Sequence, residues 1–283
     1  MNRSFLLAAV SGLVLFAGIT AWKARTGVEA GGTAAGAAVS DEERAATARF
    51  WTLLRRATDE RLAGRYADAA ASYREALALN DRHQDALYYL GNAYLALGRH
   101  ADAEAAWRRL ADVNPNSSRA YTQLGDLYLC RGAETFDLDA AEAAFARAME
   151  VNLEETGPLL YMGQVMLLRG DLARARDYFD AVSASNYRSV EAHFFGGYVA
   201  WQAGERPRAD TLFAAAVRHA EPEQPAGGVP GEGDTKQGRA MTRRASNCLA
   251  FEAHVSGLAG VEAAPAEVDA RYRRLDAFLR APR

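Results

Sequence analysis

A glycine recurs along this chain at an interval of 34 residues, lengthened once to 38. A small residue stands seven positions before each of these glycines, and an aromatic residue stands nine or, once, thirteen positions after it. An alanine precedes each aromatic residue by four positions. The four recurring sets are Gly64, Gly98, Gly132, Gly170 and Gly204; Ala57, Gly91, Gly125, Gly163 and Gly197; Ala69, Ala103, Ala141, Ala175 and Ala209; and Tyr73, Trp107, Phe145, Phe179 and Phe213. Five units in register predict a repeat fold with an elongated core.

Each unit is predicted to form two amphipathic helices joined by a tight turn. The small residue of the first helix and the alanine of the second allow the two backbones to approach closely, and the aromatic side chain fills the space beside them. The glycine between the helices can adopt the left-handed conformation that ends a helix. One hairpin cannot bury its apolar stripe alone, so neighbouring hairpins are expected to stack.

The second unit carries the most complete pattern, which reads Leu90-Gly91, Tyr94, Gly98, Ala103, Trp107 and Pro115. This order of residues resembles the tetratricopeptide repeat family. The resemblance implies an all-α, right-handed solenoid of about five helix-turn-helix repeats over residues 41–222. The first repeat departs from the family pattern at Arg56 and Glu60, and the third has four extra residues between Gly132 and Ala141.

The resemblance also places a binding groove on the inner, concave face, which the first helix of each repeat lines. An extended or helical segment of another protein is the expected ligand. Aromatic rings there offer a large contact area, and amides can hydrogen-bond to a peptide backbone; the alternative is that the rings pack between helices. The predicted partner-binding residues are Arg55, Thr58, Tyr89, Asn92, Arg119, Gln123, Asp126, Tyr161, Gln164, Phe195, Tyr198 and Trp201.

One subgroup of the family grips the C-terminal carboxylate of chaperones with a clamp of lysine and asparagine side chains. The corresponding positions in this chain hold Leu54, Thr58, Tyr89, Arg119 and Gln123. Because only Arg119 keeps the positive charge, binding of chaperone tails is disfavoured.

The N-terminus carries an uncharged, mostly apolar run over residues 5–22, flanked by Arg3, Lys23 and Arg25. Eighteen apolar residues suffice for a transmembrane helix, so residues 1–25 are predicted to be an uncleaved membrane anchor. A cleaved signal peptide is the alternative, since Val28-Glu29-Ala30 offers a small-x-small site. Basic residues on both sides leave the orientation almost balanced. We expect a single-pass protein of a bacterial inner membrane with periplasmic repeats, against the alternative of cytoplasmic repeats.

The remaining segments read as connections and a cap. Residues 26–40 are a flexible linker rich in glycine and alanine, and Ser40 with Glu43 forms a predicted capping box for a long helix from residue 41 to about residue 63. Residues 223–238 form a Pro/Gly-rich loop. Two helical segments follow within residues 239–283, over residues 239–257 and 266–280. They are predicted to cap the last repeat; the alternative is that they dock on a partner.

The sequence offers little support for catalysis. The five histidines are scattered, and no phosphate-binding loop, dinucleotide motif or nucleophile elbow occurs. We therefore predict no enzyme activity, cofactor or metal site, and a net charge of −3 predicts no nucleic-acid binding. Cys130 and Cys248 are predicted to be free, half-buried thiols, although a periplasmic location would permit a disulfide.

These features predict a non-catalytic, membrane-anchored scaffold or adaptor that assembles or stabilises a bacterial membrane or envelope complex. In this first hypothesis the groove captures a partner transiently. The alternative is a permanent structural subunit of a membrane protein complex, with the C-terminal helices and the outer surface also covered.

Overall fold

The computed structural model describes residues 40–152, 154–220 and 251–281, and the regular elements in these ranges are all α-helices. The chain divides into two compact units, Met1–Ala45 and Ala46–Arg283, of which the second contains the stacked repeats and the C-terminal helix. The helices are α1 (Asp41–Leu62), α2 (Tyr66–Leu79), α3 (Gln84–Ala96), α4 (His100–Val113), α5 (Ser118–Tyr128), α6 (Leu138–Val151), α7 (Thr156–Arg169), α8 (Leu172–Ser185), α9 (Val190–Gln202), α10 (Arg206–His219), α11 (Glu252–Val255) and α12 (Pro265–Arg280).

Several predicted segments lie outside the described residues. These are the anchor at residues 5–22, the linker over residues 26–39, the loop over residues 223–238 and the first part of the C-terminal region, residues 239–250. Within the described ranges, no helix has both the length and the apolar character that a membrane span requires.

The predicted start of the first helix is confirmed. The backbone N–H of Ser40 donates to Glu43 Oε2 at 2.8 Å, and the N–H of Glu43 donates to Ser40 Oγ at 3.1 Å. This reciprocal pair satisfies two of the backbone donors that a helix N-terminus leaves open.

The helices α1 to α10 form five successive hairpins, as the glycine spacing predicts. Gly170 shows the role of the recurring glycine: it ends α7 with a φ angle of +76°, in the left-handed region that glycine adopts without steric cost. The equivalent glycines of the other four repeats have the same conformation. Each hairpin therefore turns at the position that the sequence pattern marks.

A close contact between the two helices of a hairpin explains the small residue and the aromatic residue. A Cβ atom added to Gly91 would lie 2.3 Å from Trp107 Nε1. Similar distances of 2.5 Å and 2.4 Å separate an added Cβ at Gly125 and Gly163 from the rings of Phe145 and Phe179, respectively. Because the aromatic rings occupy the space of the missing Cβ atoms, only glycine fits at these three positions.

The same aromatic residues also join one repeat to the next. The ring of Tyr73 lies 6.2 Å from that of Tyr89 on the first helix of the following repeat. Equivalent pairs follow in the later repeats: Phe145 with Tyr161 at 5.1 Å, Phe179 with Phe195 at 5.7 Å, and Phe213 with Tyr272 at 5.7 Å. In the last pair, Tyr272 belongs to α12, which therefore packs on the fifth repeat.

The extra residues of the third repeat lengthen the turn between α5 and α6. The N–H of Asp137 donates to the carbonyl of Tyr128 at 3.0 Å, which closes this turn. The Asp137 carboxylate then accepts from the N–H groups of Asp139 and Ala140 at 2.9 and 3.0 Å. This N-cap begins α6, and the repeat pattern continues in register along that helix.

Cys130, at the beginning of that turn, is disulfide-bonded. The prediction of a free thiol at Cys130 is therefore wrong. Cys248, the other cysteine of the chain, lies outside the described residues.

Candidate partner-binding surface

The first helices of the repeats, α1, α3, α5, α7 and α9, form what we call the inner face. At its first two repeats, the guanidinium of Arg61 lies 4.3 Å from the centre of the Tyr89 ring. The ring of Tyr89 also packs on that of Tyr73, at an interplanar angle of 22°. The hydroxyl of Thr58 donates to the carbonyl of Leu54 at 2.9 Å. Tyr89 is therefore half-buried and held in place by its neighbours, while Arg55 is exposed.

Two amide side chains occupy the same position in the second and fourth repeats, one residue after the packed glycine. Asn92 is 8% exposed and Gln164 is 6% exposed. Among the described residues, Asn92 Oδ1 has no hydrogen-bond partner, and the same is true of Thr122 Oγ1 on the next inner helix. An unsatisfied buried acceptor or donor costs about 1–3 kcal/mol.

The third repeat adds charge to the inner face. Arg119 forms an ion pair with Asp85 at 2.8 Å, and its guanidinium lies 4.7 Å from the centre of the Tyr88 ring. Gln123 and Asp126 follow on the same helix and are half-buried. Side chains of the preceding repeat therefore hold the Arg119 guanidinium in place.

Among the aromatic residues predicted in the last two repeats, Phe195 and Tyr198 of the fifth repeat lie deeper than Tyr89 of the second. Tyr161 is half-buried and its ring stacks on Phe145 at an interplanar angle of 17°. Phe195 is fully buried and Tyr198 is 3% exposed. Phe195 therefore packs between helices, which is the alternative given for these rings in the sequence analysis. Tyr198 and Trp201 instead contact the C-terminal helix α12.

The helix α12 lies against α9 through two carboxylates. Asp276 Oδ1 accepts hydrogen bonds from the Tyr198 hydroxyl at 3.0 Å and from Gln202 Nε2 at 2.6 Å. Asp269 Oδ1 accepts from Trp201 Nε1 at 2.9 Å and from the Arg206 guanidinium. These contacts cover the part of the inner face that the fifth repeat contributes.

Both carboxylates are held in their charged form. Hydrogen bonds from Trp201 and Arg206 lower the pKa of Asp269. Burial acts to raise the pKa of Asp276, but hydrogen bonds from Arg280, Tyr198 and Gln202 outweigh it, so the pKa of Asp276 is lowered as well. Burial raises the pKa of Tyr198, which therefore remains a neutral donor.

Sequence reasoning missed the residues of the C-terminal contact, which are Arg131, Gln202, Arg206, Asp269, Tyr272 and Asp276. The signal for α12 is the spacing of Val268, Tyr272 and Leu275, which are all buried and follow the four- and three-residue steps of an amphipathic helix. This spacing predicts a packed face, and the observed helix agrees with the segment predicted over residues 266–280. It does not identify the surface that this face covers.

The described residues contain no group of three or more His, Cys, Asp and Glu side chains placed to hold a metal ion. The inner face instead offers rings, amides, a few fixed charges and unsatisfied polar atoms. Such an arrangement is suited to binding a polypeptide segment.

Comparisons with known proteins agree with this geometry. Two tetratricopeptide repeat family models match residues 61–127 and 162–225. Two crystal structures of MamA are similar to this chain: one has 20% identity and a TM-score of 0.54, covering 61% of this chain and 92% of MamA. The other has 21% identity and a TM-score of 0.51, covering 57% of this chain and 92% of MamA.

A third similar structure is TTC0263, a tetratricopeptide repeat protein of Thermus thermophilus, with 23% identity and a TM-score of 0.49. It covers 69% of this chain and 98% of TTC0263. Comparison with curated proteins gives no match.

The stacked hairpins, the glycine turns and the matching family models define a helical repeat protein of the protein-interaction class. The chain belongs to the tetratricopeptide repeat family. Proteins of this family bind protein or peptide partners and are in general non-catalytic, so the fold is that of a scaffold for protein–protein interaction.

Proposed function

We propose that this chain is a membrane-anchored scaffold that holds a segment of a partner protein against the inner face of repeats 1 to 4. The observation that carries the proposal is the buried Asn92 Oδ1, which lacks a partner among the described residues. Because this oxygen is buried, the amide has to turn toward the surface to reach a bound peptide backbone, where it would gain a hydrogen bond. Fixed neighbours on the same face, Tyr89 and Arg119, would supply contact area and charge.

The site of action is part of the proposal. The apolar run over residues 5–22 supports an anchor in a bacterial inner membrane. The disulfide at Cys130 supports a periplasmic location for the repeats, because disulfides persist in oxidising compartments and are rare in the cytosol. The complex served is accordingly one of the membrane or envelope, where the scaffold assists assembly or stabilisation.

A permanent structural subunit is the second candidate, and two exposed rings favour it. Trp51 is 52% exposed and Tyr187 is 70% exposed. Neither belongs to the set predicted for the groove, and large exposed aromatic side chains are enriched at protein interfaces. A permanent subunit would cover such rings in addition to the groove.

The test compares partner recovery by the full-length chain and by the double variant Asn92→Ala/Gln123→Ala, purified from the native membrane in mild detergent. Removing two inner-face amides should weaken partner binding about thirtyfold, since each lost hydrogen bond contributes roughly 1 kcal/mol. Helix content should be unchanged, because the Asn92 oxygen has no partner to lose in the described fold.

The matched control is Arg74→Ala/Asp177→Ala, which removes two exposed side chains of the second helices α2 and α8. Control recovery should equal that of the wild type, and equal recovery by both double variants would contradict binding at the inner face.

Mass spectrometry of the N-terminal peptide also tests the anchor, since residues 1–25 remain only if no signal is cleaved. Constant stoichiometry through gel filtration would favour the permanent subunit, whereas salt-sensitive, sub-stoichiometric recovery would favour the adaptor.

A further inference from the structure

The C-terminal segment reaches across more than one repeat. Tyr272 on α12 packs against the rings of Phe194 and Phe213 at 5.4 and 5.7 Å. Near the other end of α12, Phe278 contacts Phe251, which in turn contacts Phe195 at 5.4 Å. The helix thus contacts the fifth repeat along its length.

The end of α12 is held by the third repeat. The guanidinium of Arg131, in the lengthened turn, donates to the carbonyl oxygens of Phe278 and Ala281. It also lies 4.8 Å from the centre of the Phe278 ring. The last carbonyls of a helix lack partners within the helix and carry partial negative charge. Arg131 therefore recognises the C-terminal end of a helix through its backbone carbonyls and contacts the aromatic residue there as well.

The receiving surface contacts two carboxylates of α12 whose spacing matches the helical repeat. Asp269 and Asp276 are seven residues apart, or about two turns, and so lie on one face of the helix. Tyr272 lies between them, three residues after the first and four residues before the second. The receiving surface supplies matching donors from Trp201, Tyr198, Gln202 and Arg206.

This contact is incompletely satisfied. Among the described residues, the Tyr272 hydroxyl and Arg131 Nε are buried without a hydrogen-bond partner. The hydroxyl is pressed against Gly197, where an added Cβ would lie 2.1 Å from it. A helix with phenylalanine in place of Tyr272 would avoid the unsatisfied hydroxyl.

We propose that α9, together with Arg131 and Arg206, forms a second binding site, for an amphipathic helix with a central aromatic residue and carboxylates three residues before and four residues after it. The helix α12 is the resident ligand of this site, and a partner helix of the same chemistry replaces it. This inference rests on the proposed function, to which it adds the chemistry of one partner segment. The complementary donors and the unsatisfied hydroxyl of the resident helix support the exchange.

The first test uses the full-length chain and a fluorescein-labelled peptide that copies residues 263–281, measured by fluorescence anisotropy. The chain variant Asp276→Asn weakens the resident contact, since hydrogen bonds to a charged group are about twice as strong as neutral ones. It should bind the peptide about tenfold more tightly than the wild-type chain does, because weaker internal competition raises the apparent affinity. The control Glu262→Gln changes one exposed carboxylate of the same segment and should match the wild type.

The second test places a methyl group at the site itself. In the Asp276→Asn background, Gly197→Ala should abolish peptide binding, because the new Cβ meets the Tyr272 hydroxyl. A peptide carrying Tyr272→Phe should recover at least part of the binding. The neighbouring change Gly196→Ala should have no effect, because its nearest atom, Phe179 Cβ, lies at an ordinary 3.6 Å.

Three outcomes would overturn the inference. The first is equal peptide binding by the wild-type and Asp276→Asn chains, which would make α12 a permanent cap. The second is binding that Gly197→Ala leaves intact, and the third is dimerisation through exchanged C-terminal helices, which would make the occupant a second copy of this chain. Failure of the proposed function is distinguishable, since Asn92→Ala/Gln123→Ala alters partner recovery but should leave peptide binding unchanged.

Discussion

Replacement of Trp107 by alanine is expected to lower the free energy of unfolding by about 3–5 kcal/mol, the usual cost of deleting a fully buried tryptophan side chain. Trp107 is 0% exposed, and its ring fills the space beside Gly91 in the second hairpin. Its Nε1 also donates to the carbonyl of Tyr88 at 3.2 Å. The truncation would therefore leave a cavity and remove one of the hydrogen bonds that the Tyr88 carbonyl accepts.

Urea denaturation followed by circular dichroism measures this effect, with attention to partial unfolding, because repeat arrays lose strict two-state behaviour. The control is Trp51→Ala, which removes the same side chain at a position that is 52% exposed. The control should cost about 1 kcal/mol or less. Equal losses for the two variants would contradict the role of Trp107 in the packing between α3 and α4.

The second large effect is expected at the packed glycines. Gly91→Ala gains about 1 kcal/mol of helix propensity, but the added Cβ lies 2.3 Å from Trp107 Nε1. Because the buried indole cannot move away freely, overpacking of about 1–3 kcal/mol should outweigh the gain and lower the stability. The expected sign is therefore opposite to that of an ordinary glycine-to-alanine change in a helix.

Gly196→Ala provides the matched comparison, since Gly196 is also inside a first helix and its added Cβ would meet only ordinary contacts of 3.6 and 3.7 Å. This variant should be more stable than the wild type by up to about 1 kcal/mol. Thermal melts of the two variants and the wild type test the pair. Stabilisation by both changes would show that the aromatic residue does not require a glycine beneath it.

The repeat fold could be predicted because each recurring residue has a local cause. The recurring glycines in the sequence directly indicate two of these causes, the left-handed φ angle at Gly170 and the absence of a Cβ atom at Gly91. The same pattern also predicted that Phe195 and Tyr198 lie on the first helix of the fifth repeat. Periodicity assigns a residue to a helix face, but it does not say what covers that face.

The residues that make the C-terminal contact could not be predicted for that reason, although the sequence predicts that this segment caps the last repeat. Tyr272 packs against Phe213 and Gly197 of the fifth repeat, and the sequence around Tyr272 lacks the signals of a repeat. Arg131 reads in the sequence as one charged residue of a loop, and only the folded chain brings it to the carbonyl of Phe278. The disulfide at Cys130 depends in the same way on proximity that sequence spacing does not encode.

The most direct test of the central claim is site-specific photo-crosslinking of the full-length chain in its native membrane. A photoreactive amino acid is placed at Gln123 on the inner face or at Arg74 on the outward side of α2. The scaffold account predicts a discrete crosslinked partner from Gln123 that is absent from Arg74. Crosslinking only from Arg74, or the same products from both positions, would contradict the claim that the inner face holds the partner.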